Sequence, residues 1–320
     1  MKLAQQVIAT ELGLFEKHFK EAVKSRVPLL DRIMQYIVKR KGKQLRPMFV
    51  LLSARLGGPA NDATYRAASL VELLHTATLV HDDVVDDAME RRGFFSINAL
   101  WKNKIAVLVG DYLLTKGLLL SLDNKEHQVL QILSTAVKEM SEGELLQLEK
   151  SRKLNLDEAI YYDIIKGKTA SLLASACAAG ACSTFEDAAT VEKLRLFGEK
   201  VGMAFQVKDD LFDYGNADIG KPTGNDIREK KLTLPLIYTL NNCNPAVKRN
   251  IIYIVKNQNT NKEKVQYVID QVNQHGGIAY ATQKMFNFRD EALAILHQFP
   301  DTEVRQALED LVRYTTDRKY

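Results

Sequence analysis

The strongest constraint in this sequence is something it avoids. No proline occurs from residue 60 to residue 221. Proline breaks helices because it lacks an N–H and its ring collides with the preceding turn. A stretch this long without it leaves helices free to run. Inside it, apolar residues recur at three- and four-residue spacing, as in Leu70, Leu73, Leu74 and Ala77, and again in Leu130, Leu133 and Val137. That is the period of one helical face. Alternating patterns bounded by turn residues, the mark of strands, are scarce. The expected fold class is therefore all-α.

Turn-forming clusters fall at LGGPAND (56–62), ERRGF (90–94), SLDNKEH (121–127), KLNLDE (153–158) and YGNADIGKPTGND (214–226). A further one, QHGG (274–277), introduces a last helical region. None resembles an interdomain linker, so residues 1–320 are expected to form one large helical domain. The uncharged stretch TASLLASACAAGACSTF (169–185) barely reaches membrane-spanning length and is mostly Ala, Ser, Cys and Thr. It reads as a tightly packed internal helix, and no transmembrane segment is expected. Glu11, Glu16 and Lys17 come too early for a signal peptide. Cys177, Cys182 and Cys243 show no pairing pattern and read as reduced thiols of a cytoplasmic protein. With 44 basic and 40 acidic side chains, the charge balance points strongly to neither nucleic acid nor an anionic ligand.

One heptad then stands out. HDDVVDD (81–87) packs four aspartates behind the apolar run LVELLHTATLV (70–80). If that helix continues, Asp82 and Asp86 lie one turn apart on one face, and Asp83 and Asp87 repeat the pattern. Like charges at that spacing repel, and carboxylates near an apolar core lose hydration. A second cluster, KDDLFDY (208–214), sets Asp209, Asp210 and Asp213 in the same D-D-x-x-D spacing. All-oxygen carboxylate sites suit hard divalent cations, above all Mg²⁺, which takes substrate phosphates as remaining ligands. Such cations would remove the repulsion and supply the missing solvation. A single cluster would read as a solvated acidic face; two, each embedded in apolar helical sequence, point to metal ions around a diphosphate. The EF-hand loop pattern and the His/Cys spacing of a zinc site are both missing.

Basic residues form the complement. VKRKGKQLRP (38–47) gathers Lys39, Arg40, Lys41, Lys43 and Arg46 before an apolar helix. Arg91 and Arg92 follow the first acidic motif, Lys168 precedes the uncharged helix, and Lys221, Lys230 and Lys231 follow the second motif. A charge run is usually a solvated face. Cations grouped beside metal-binding carboxylates nevertheless fit a substrate that bears phosphates, with arginine offering forked hydrogen bonds. Nucleic acid, the competing anion, is disfavoured because the basic residues alternate with acidic sites and lack interleaved aromatics.

Seven ordered stretches carry a resemblance over nearly the whole chain: GKQLRP, ELLHTATLVHDDVVDDAMERRG, GDYLL, EGELLQ, KTASL, FQVKDDLFDY and GKPTGNDIREKKLTLPLIY. In these the sequence resembles the trans-prenyltransferases, the polyprenyl diphosphate synthases, and among them the medium- and long-chain, octaprenyl diphosphate synthase-like members. The resemblance implies a single all-α bundle around a deep central cavity (the isoprenoid synthase fold), acting as a homodimer. It implies condensation of isopentenyl diphosphate with an allylic diphosphate, such as farnesyl diphosphate, into a medium- or long-chain all-trans product.

Residue roles follow from the same resemblance. Asp82, Asp83 and Asp86, with Asp209, Asp210 and Asp213, match the Mg²⁺-binding motifs that grip the allylic diphosphate. Arg91, Lys168, Thr169, Gln206, Lys221 and Lys231 match positions contacting that diphosphate. Lys43, Arg46, His75 and Arg92 match a metal-free pocket for isopentenyl diphosphate. His81 reads as structural and Asp87 as a solvated or helix-pairing carboxylate. Two positions depart from the family: Lys41-Gly42, where two glycines are common, and Lys230, where glycine is common. Ala77 and Thr78 are small where short-chain relatives carry aromatic residues. The growing tail is therefore expected to pass them toward Leu74 and Leu70, with the helix from Asp111 to Leu122 as the floor. The alternatives are a short-chain farnesyl or geranylgeranyl diphosphate synthase, a terpene cyclase, or the non-enzymatic partner subunit of a two-component synthase. A cyclase would leave Lys43, Arg46 and Arg92 without a second substrate. A partner subunit would lack intact acidic motifs.

Overall fold

The computed structural model describes residues 1–40, 42–91, 93–153, 157–215 and 223–318. Helices dominate, as the helical period and the missing prolines lead one to expect. The first five are α1 (Lys2–Val7), α2 (Ala9–Ala22), α3 (Pro28–Lys39), α4 (Leu45–Arg55) and α5 (Asp62–Val85). A hairpin follows, formed by β1 (Glu90–Arg91) and β2 (Phe94–Phe95), with Arg91 opposite Phe94. Next come α6 (Ile97–Asp123), α7 (His127–Lys153) and α8 (Glu158–Ile165), then a π turn at Lys166–Ala170. After it run α9 (Ser171–Cys182), α10 (Ala188–Phe212), α11 (Asn225–Arg228) and α12 (Leu234–Asn242). The last are α13 (Pro245–Asn257), α14 (Lys262–Gln274), α15 (Gly277–Leu296) and α16 (Glu303–Asp317).

The breaks between helices carry local causes. Asn61 caps α5 by accepting the Thr64 N–H, and the Thr64 side chain accepts the Asn61 N–H in return. Proline begins α3 and α13, where its fixed φ suits the first turn and its missing N–H costs nothing. The ERRGF turn cluster becomes the hairpin, the one pair of strands among the described residues.

The chain forms two compact units. The first comprises Met1–Val137, Ser175–Arg195 and Phe299–Asp310. Its core includes Ile33 and Met34 of α3, Leu73, Ala77 and Val80 of α5, and Val109 and Leu113 of α6. Helices α5 and α6 approach closely: a Cβ at Gly110 would fall 2.1 Å from His81 Nε2, and one at Gly117 would fall 2.7 Å from Leu70 Cδ1. A Cβ at Gly180 on α9 would meet the Val50 carbonyl oxygen at 2.1 Å. The uncharged stretch is thus a buried helix of 12 residues, too short to span a bilayer. Among the described residues one helix, α6, is long and apolar enough to cross a membrane, and 33% of its apolar window is buried. All three cysteines are free.

The second unit comprises Lys138–Ala174, Leu196–Gln298 and Leu311–Tyr320. Its core gathers Tyr161, Val207, Ile237, Ile254, Val268 and Met285. Lys230, which stands where the family commonly has glycine, holds φ at 59°. An L side chain pays roughly 1–2 kcal/mol in that left-handed region, whereas glycine enters it freely. Lys230→Gly should therefore stabilise the protein by about 0.5–1 kcal/mol after glycine's larger unfolded-state entropy is deducted. A lower denaturation midpoint for the variant in urea would refute this.

Candidate active site

The helix carrying the first acidic cluster stops inside it. Helix α5 ends at Val85, and the Asp86 N–H still bonds to the Asp82 carbonyl at 2.8 Å, so those two residues remain one turn apart. Asp87 turns to φ 49°, and the repeat of the pattern by Asp83 and Asp87 does not form. The three motif carboxylates also differ in setting. Asp86 is exposed and Asp82 half-buried, while Asp83 is 4% exposed. Burial raises the Asp83 pKa, and Arg91 opposes that by donating from Nε to Asp83 Oδ1 at 2.5 Å. The hairpin supplies this arginine. Its base is tied down by Ser96 Oγ, which donates to the Ala88 carbonyl at 2.7 Å, and by Asn98, which donates to the Asp83 and Ala88 carbonyls. Arg92 lies outside the described residues. His81 Nε2 sits 3.3 Å from the Val107 carbonyl and 3.4 Å from Asp111 Oδ1, a role in joining α5 to α6.

The same unit brings two of the expected isopentenyl-pocket residues together. Gln44 adopts a left-handed conformation and starts α4, placing Arg46 in its first turn. Arg46 Nη1 donates to His75 Nε2 at 3.0 Å. Arginine only donates, so Nε2 accepts and the imidazole carries its proton on Nδ1. His75 is 9% exposed. Lys43 is exposed on the loop leading into α4. Of the chain-length residues, Ala77 is 2% exposed within the α3–α5–α6 core. Thr78 is half-buried and donates to the His75 carbonyl at 2.9 Å.

In the second unit the π turn carries Lys168 and Thr169, a helical irregularity of the kind often found at functional sites. Glycines let α7 come against it: a Cβ at Gly143 would lie 2.7 Å from the Lys168 nitrogen, and one at Gly167 would lie 2.8 Å from the Glu139 carbonyl. Thr169 Oγ1 donates to Gln206 Oε1 at 2.7 Å, and Gln206 Nε2 donates to Asp210 Oδ1 at 2.8 Å. The buried Tyr161 hydroxyl donates to Asp210 Oδ2 at 2.6 Å. Asp210 is 6% exposed, and burial pushes its pKa up to about 7 against the pull of these two donors.

The other two carboxylates of this motif are engaged differently. Asp209 Oδ1 accepts from Arg318 Nη2 at 2.5 Å. Asp213 lies just past the end of α10 and accepts the N–H groups of Asn225 and Asp226 at 2.7 and 3.0 Å. Lys168 pairs with Glu144 at 2.5 Å, and Lys231 pairs with Glu229. A cavity of about 170 Å³ collects Lys168, Thr169, Gln206, Asp210, Asp226 and Lys231. Lys221 lies outside the described residues.

Three side chains here went unassigned in the sequence reading. Burial, then Asp210 and Asp213, push Asp226 up to about 8. Its place in GKPTGND, quoted but given no role, was the available signal. Tyr161 and Arg318 left none, because their importance rests on partners 49 and 109 residues away.

Among the described residues no group of three or more His, Cys, Asp or Glu side chains stands ready to hold a metal ion. The donor set still suits a hard divalent cation. Burial disfavours the charged forms of Asp210 and Asp226, a cost that a bound cation would offset, and both line one cavity. Carboxylates completed by substrate phosphates, with no all-protein cage, are what Mg²⁺ prefers.

The sequence profile of the polyprenyl synthetase family matches residues 27–272. The chain is 36% identical over 304 residues to octaprenyl diphosphate synthase of Escherichia coli, covering 93% of each sequence. It is 33% identical over 322 residues to heptaprenyl diphosphate synthase component 2 of Bacillus subtilis, covering 100% of this chain and 91% of that one. A crystal structure of a polyprenyl synthase from Caulobacter crescentus, complexed with calcium and isoprenyl diphosphate, superposes with a TM-score of 0.92. It is 33% identical and covers 100% of this chain and 98% of that one.

Proposed function

The chain belongs to the polyprenyl synthetase family, and on that premise we propose how its residues divide the work of a Mg²⁺-dependent synthase. It is a prenyltransferase that condenses isopentenyl diphosphate with an allylic diphosphate into a medium- or long-chain polyprenyl diphosphate, and its family uses a divalent metal. The observation that carries the site assignment is the second unit's cavity, where Lys168, Thr169, Gln206, Asp210 and Lys231 converge. All five are positions that the family resemblance assigns to the allylic diphosphate or its metal. Farnesyl diphosphate is the primer we favour. We take residues 1–320 as one working domain, since the stretches that carry the family resemblance run through nearly the whole chain.

Asp82, Asp83, Asp86, Asp209, Asp210 and Asp213 hold the ions in this reading. Bound Mg²⁺ supplies positive charge to the diphosphate as it leaves. Lys168 and Lys231 add cationic donors, and Thr169 fixes Gln206, which in turn orients Asp210. Arg46 and His75, joined at 3.0 Å, hold isopentenyl diphosphate with Lys43 and Arg92. The allylic C1–O bond breaks first, its electron pair leaving with the diphosphate, and the isopentenyl double bond then attacks C1 of the allylic cation that remains. A proton then leaves C2 of the isopentenyl unit, with the departed diphosphate as the available base. Exclusion of water matters because water would quench the cation.

Two further features bear on assembly. Leu100, Val107, Leu108, Leu119 and Leu122 of α6 are exposed. An apolar face of this kind fits the subunit contact of a homodimer better than open solvent. The free thiols suit the cytoplasm.

The decisive experiment incubates the purified chain alone with labelled isopentenyl diphosphate, farnesyl diphosphate and Mg²⁺, and sizes the products by chromatography. Extension to a long product supports the reading. No incorporation by the chain alone would reject a self-sufficient synthase, an outcome worth testing because one relative is named as a component. The two pockets should also separate kinetically. Arg46→Ala removes a charge-assisted contact from one pocket, so the KM for isopentenyl diphosphate should rise about tenfold or more, with the allylic KM little changed. Equal effects on both substrates would argue against the division.

A further inference from the structure

Arg40 belongs to the basic group before α4 and lines the same cavity as His75, Asp83 and Arg91, yet the family resemblance gives it no diphosphate to bind. It follows the last residue of α3, with Tyr36 one turn earlier. Its guanidinium carbon lies 3.3 Å from the centre of the Tyr36 ring and 4.3 Å from the centre of the Phe94 ring. Tyr36 comes from α3 and Phe94 from β2, so one cation sits between aromatic rings of two separate elements. The Tyr36 hydroxyl donates to the Phe95 carbonyl at 2.6 Å, and Arg40 Nη1 reaches the same oxygen at 3.4 Å. Trp101 meets the Tyr36 ring edge-on, with centroids 5.2 Å apart.

The hairpin needs such an attachment. Strands of two residues are marginal by themselves. Phe94 and Phe95 are 49% and 57% exposed, and a cavity of about 260 Å³ that they help to line lies against this side of the hairpin. Little core packing therefore holds β2 in place. Directly across from Phe94 is Arg91, which reaches the buried Asp83 at 2.5 Å.

We infer that Arg40 is a positioning residue: with Tyr36 and Phe94 it fastens the hairpin to the end of α3, and so places Arg91 for diphosphate binding. The part concerning diphosphate rests on the function proposed above; the fastening itself does not. Arg40 stacks as a planar cation, which lysine cannot imitate.

The test measures both Michaelis constants for three variants and follows Trp101, the chain's single tryptophan, by fluorescence. Arg40→Met keeps the stem and removes the planar cation; it should raise the KM for the allylic diphosphate, which Arg91 is proposed to contact, by roughly 3- to 10-fold, below the ~10²-fold that an ångström of misplacement can cost. Arg46→Ala, by contrast, moves the constant for isopentenyl diphosphate. Tyr36→Phe, which removes no charge, should shift the same constant in the same direction by a smaller factor, and Arg40→Lys should fail to restore it. In Arg40→Met, Trp101 should become more accessible to acrylamide while the thermal midpoint stays near the native one. A silent Tyr36→Phe together with rescue by Arg40→Lys would make Arg40 a direct phosphate ligand and overturn the inference. Unchanged quenching of Trp101 in Arg40→Met would overturn it as well. If the native chain turned over neither substrate, the proposed function would fail while the fluorescence still decided the fastening.

Discussion

Asp82→Ala and Asp209→Ala should each slow condensation by orders of magnitude, and excess chelator should abolish it. The chemical step is ionisation of the allylic C–O bond, so charge builds on the leaving diphosphate. Losing one preorganised electrostatic group at such a centre typically costs ~10²–10³ in rate, or roughly 2.7–4 kcal/mol. Asp82 is half-buried on the last turn of α5. Asp209→Ala also takes from Arg318 the carboxylate to which it donates at 2.5 Å and leaves it the Thr315 and Phe205 carbonyls, so part of its loss would come from a loosened guanidinium. Rates measured against Mg²⁺ concentration separate the two cases. A weakened metal site recovers at high Mg²⁺, and a displaced tail does not. Full turnover in excess chelator would reject the metal assignment outright.

Thr78→Phe should shorten the product sharply while leaving the first condensations intact. Thr78 and Ala77 stand four and five residues before Asp82, roughly 6–8 Å along the helix at about 1.5 Å per residue. That depth is reached after one or two isoprene units. The structure adds a reason to prefer position 78. Ala77 is packed among Ile33, Met34, Leu73, Val109 and Leu113, so Ala77→Phe should cost about 1–3 kcal/mol through overpacking as well as blocking the tail. Thr78 is only half-buried and gives a phenylalanine more room. Farther along the proposed path, Leu70 crowds Gly117 on α6, within the stretch expected to form the floor. Product length measured by chromatography decides the matter. If Thr78→Phe made the native product, this face of α5 would not line the tunnel, whatever Ala77→Phe did.

The helical class was legible because its causes are local. A period of three to four, the missing prolines, and the turn clusters at 56–62, 121–127 and 274–277 act within a few residues of themselves. The ends of α4, α6 and α14 fall at or beside those clusters. The spacing of the two acidic motifs was equally plain, and so was the family that spacing resembles. The individual fate of each carboxylate was not. Asp82, Asp83 and Asp86 look alike in sequence, yet Asp83 alone is buried, and the arginine that meets it arrives on a hairpin eight residues later. Asp209, Asp210 and Asp213 read as equivalents too. One is joined to Arg318, one is held by Tyr161 and Gln206, and one caps α11. Arg40 had the look of one more phosphate-seeking cation until the rings of Tyr36 and Phe94 closed around it. Helical period and turn chemistry are properties of neighbours along the chain. Burial and the choice of hydrogen-bond partner belong to residues that meet only after folding, and these tertiary contacts decided what each charge would do.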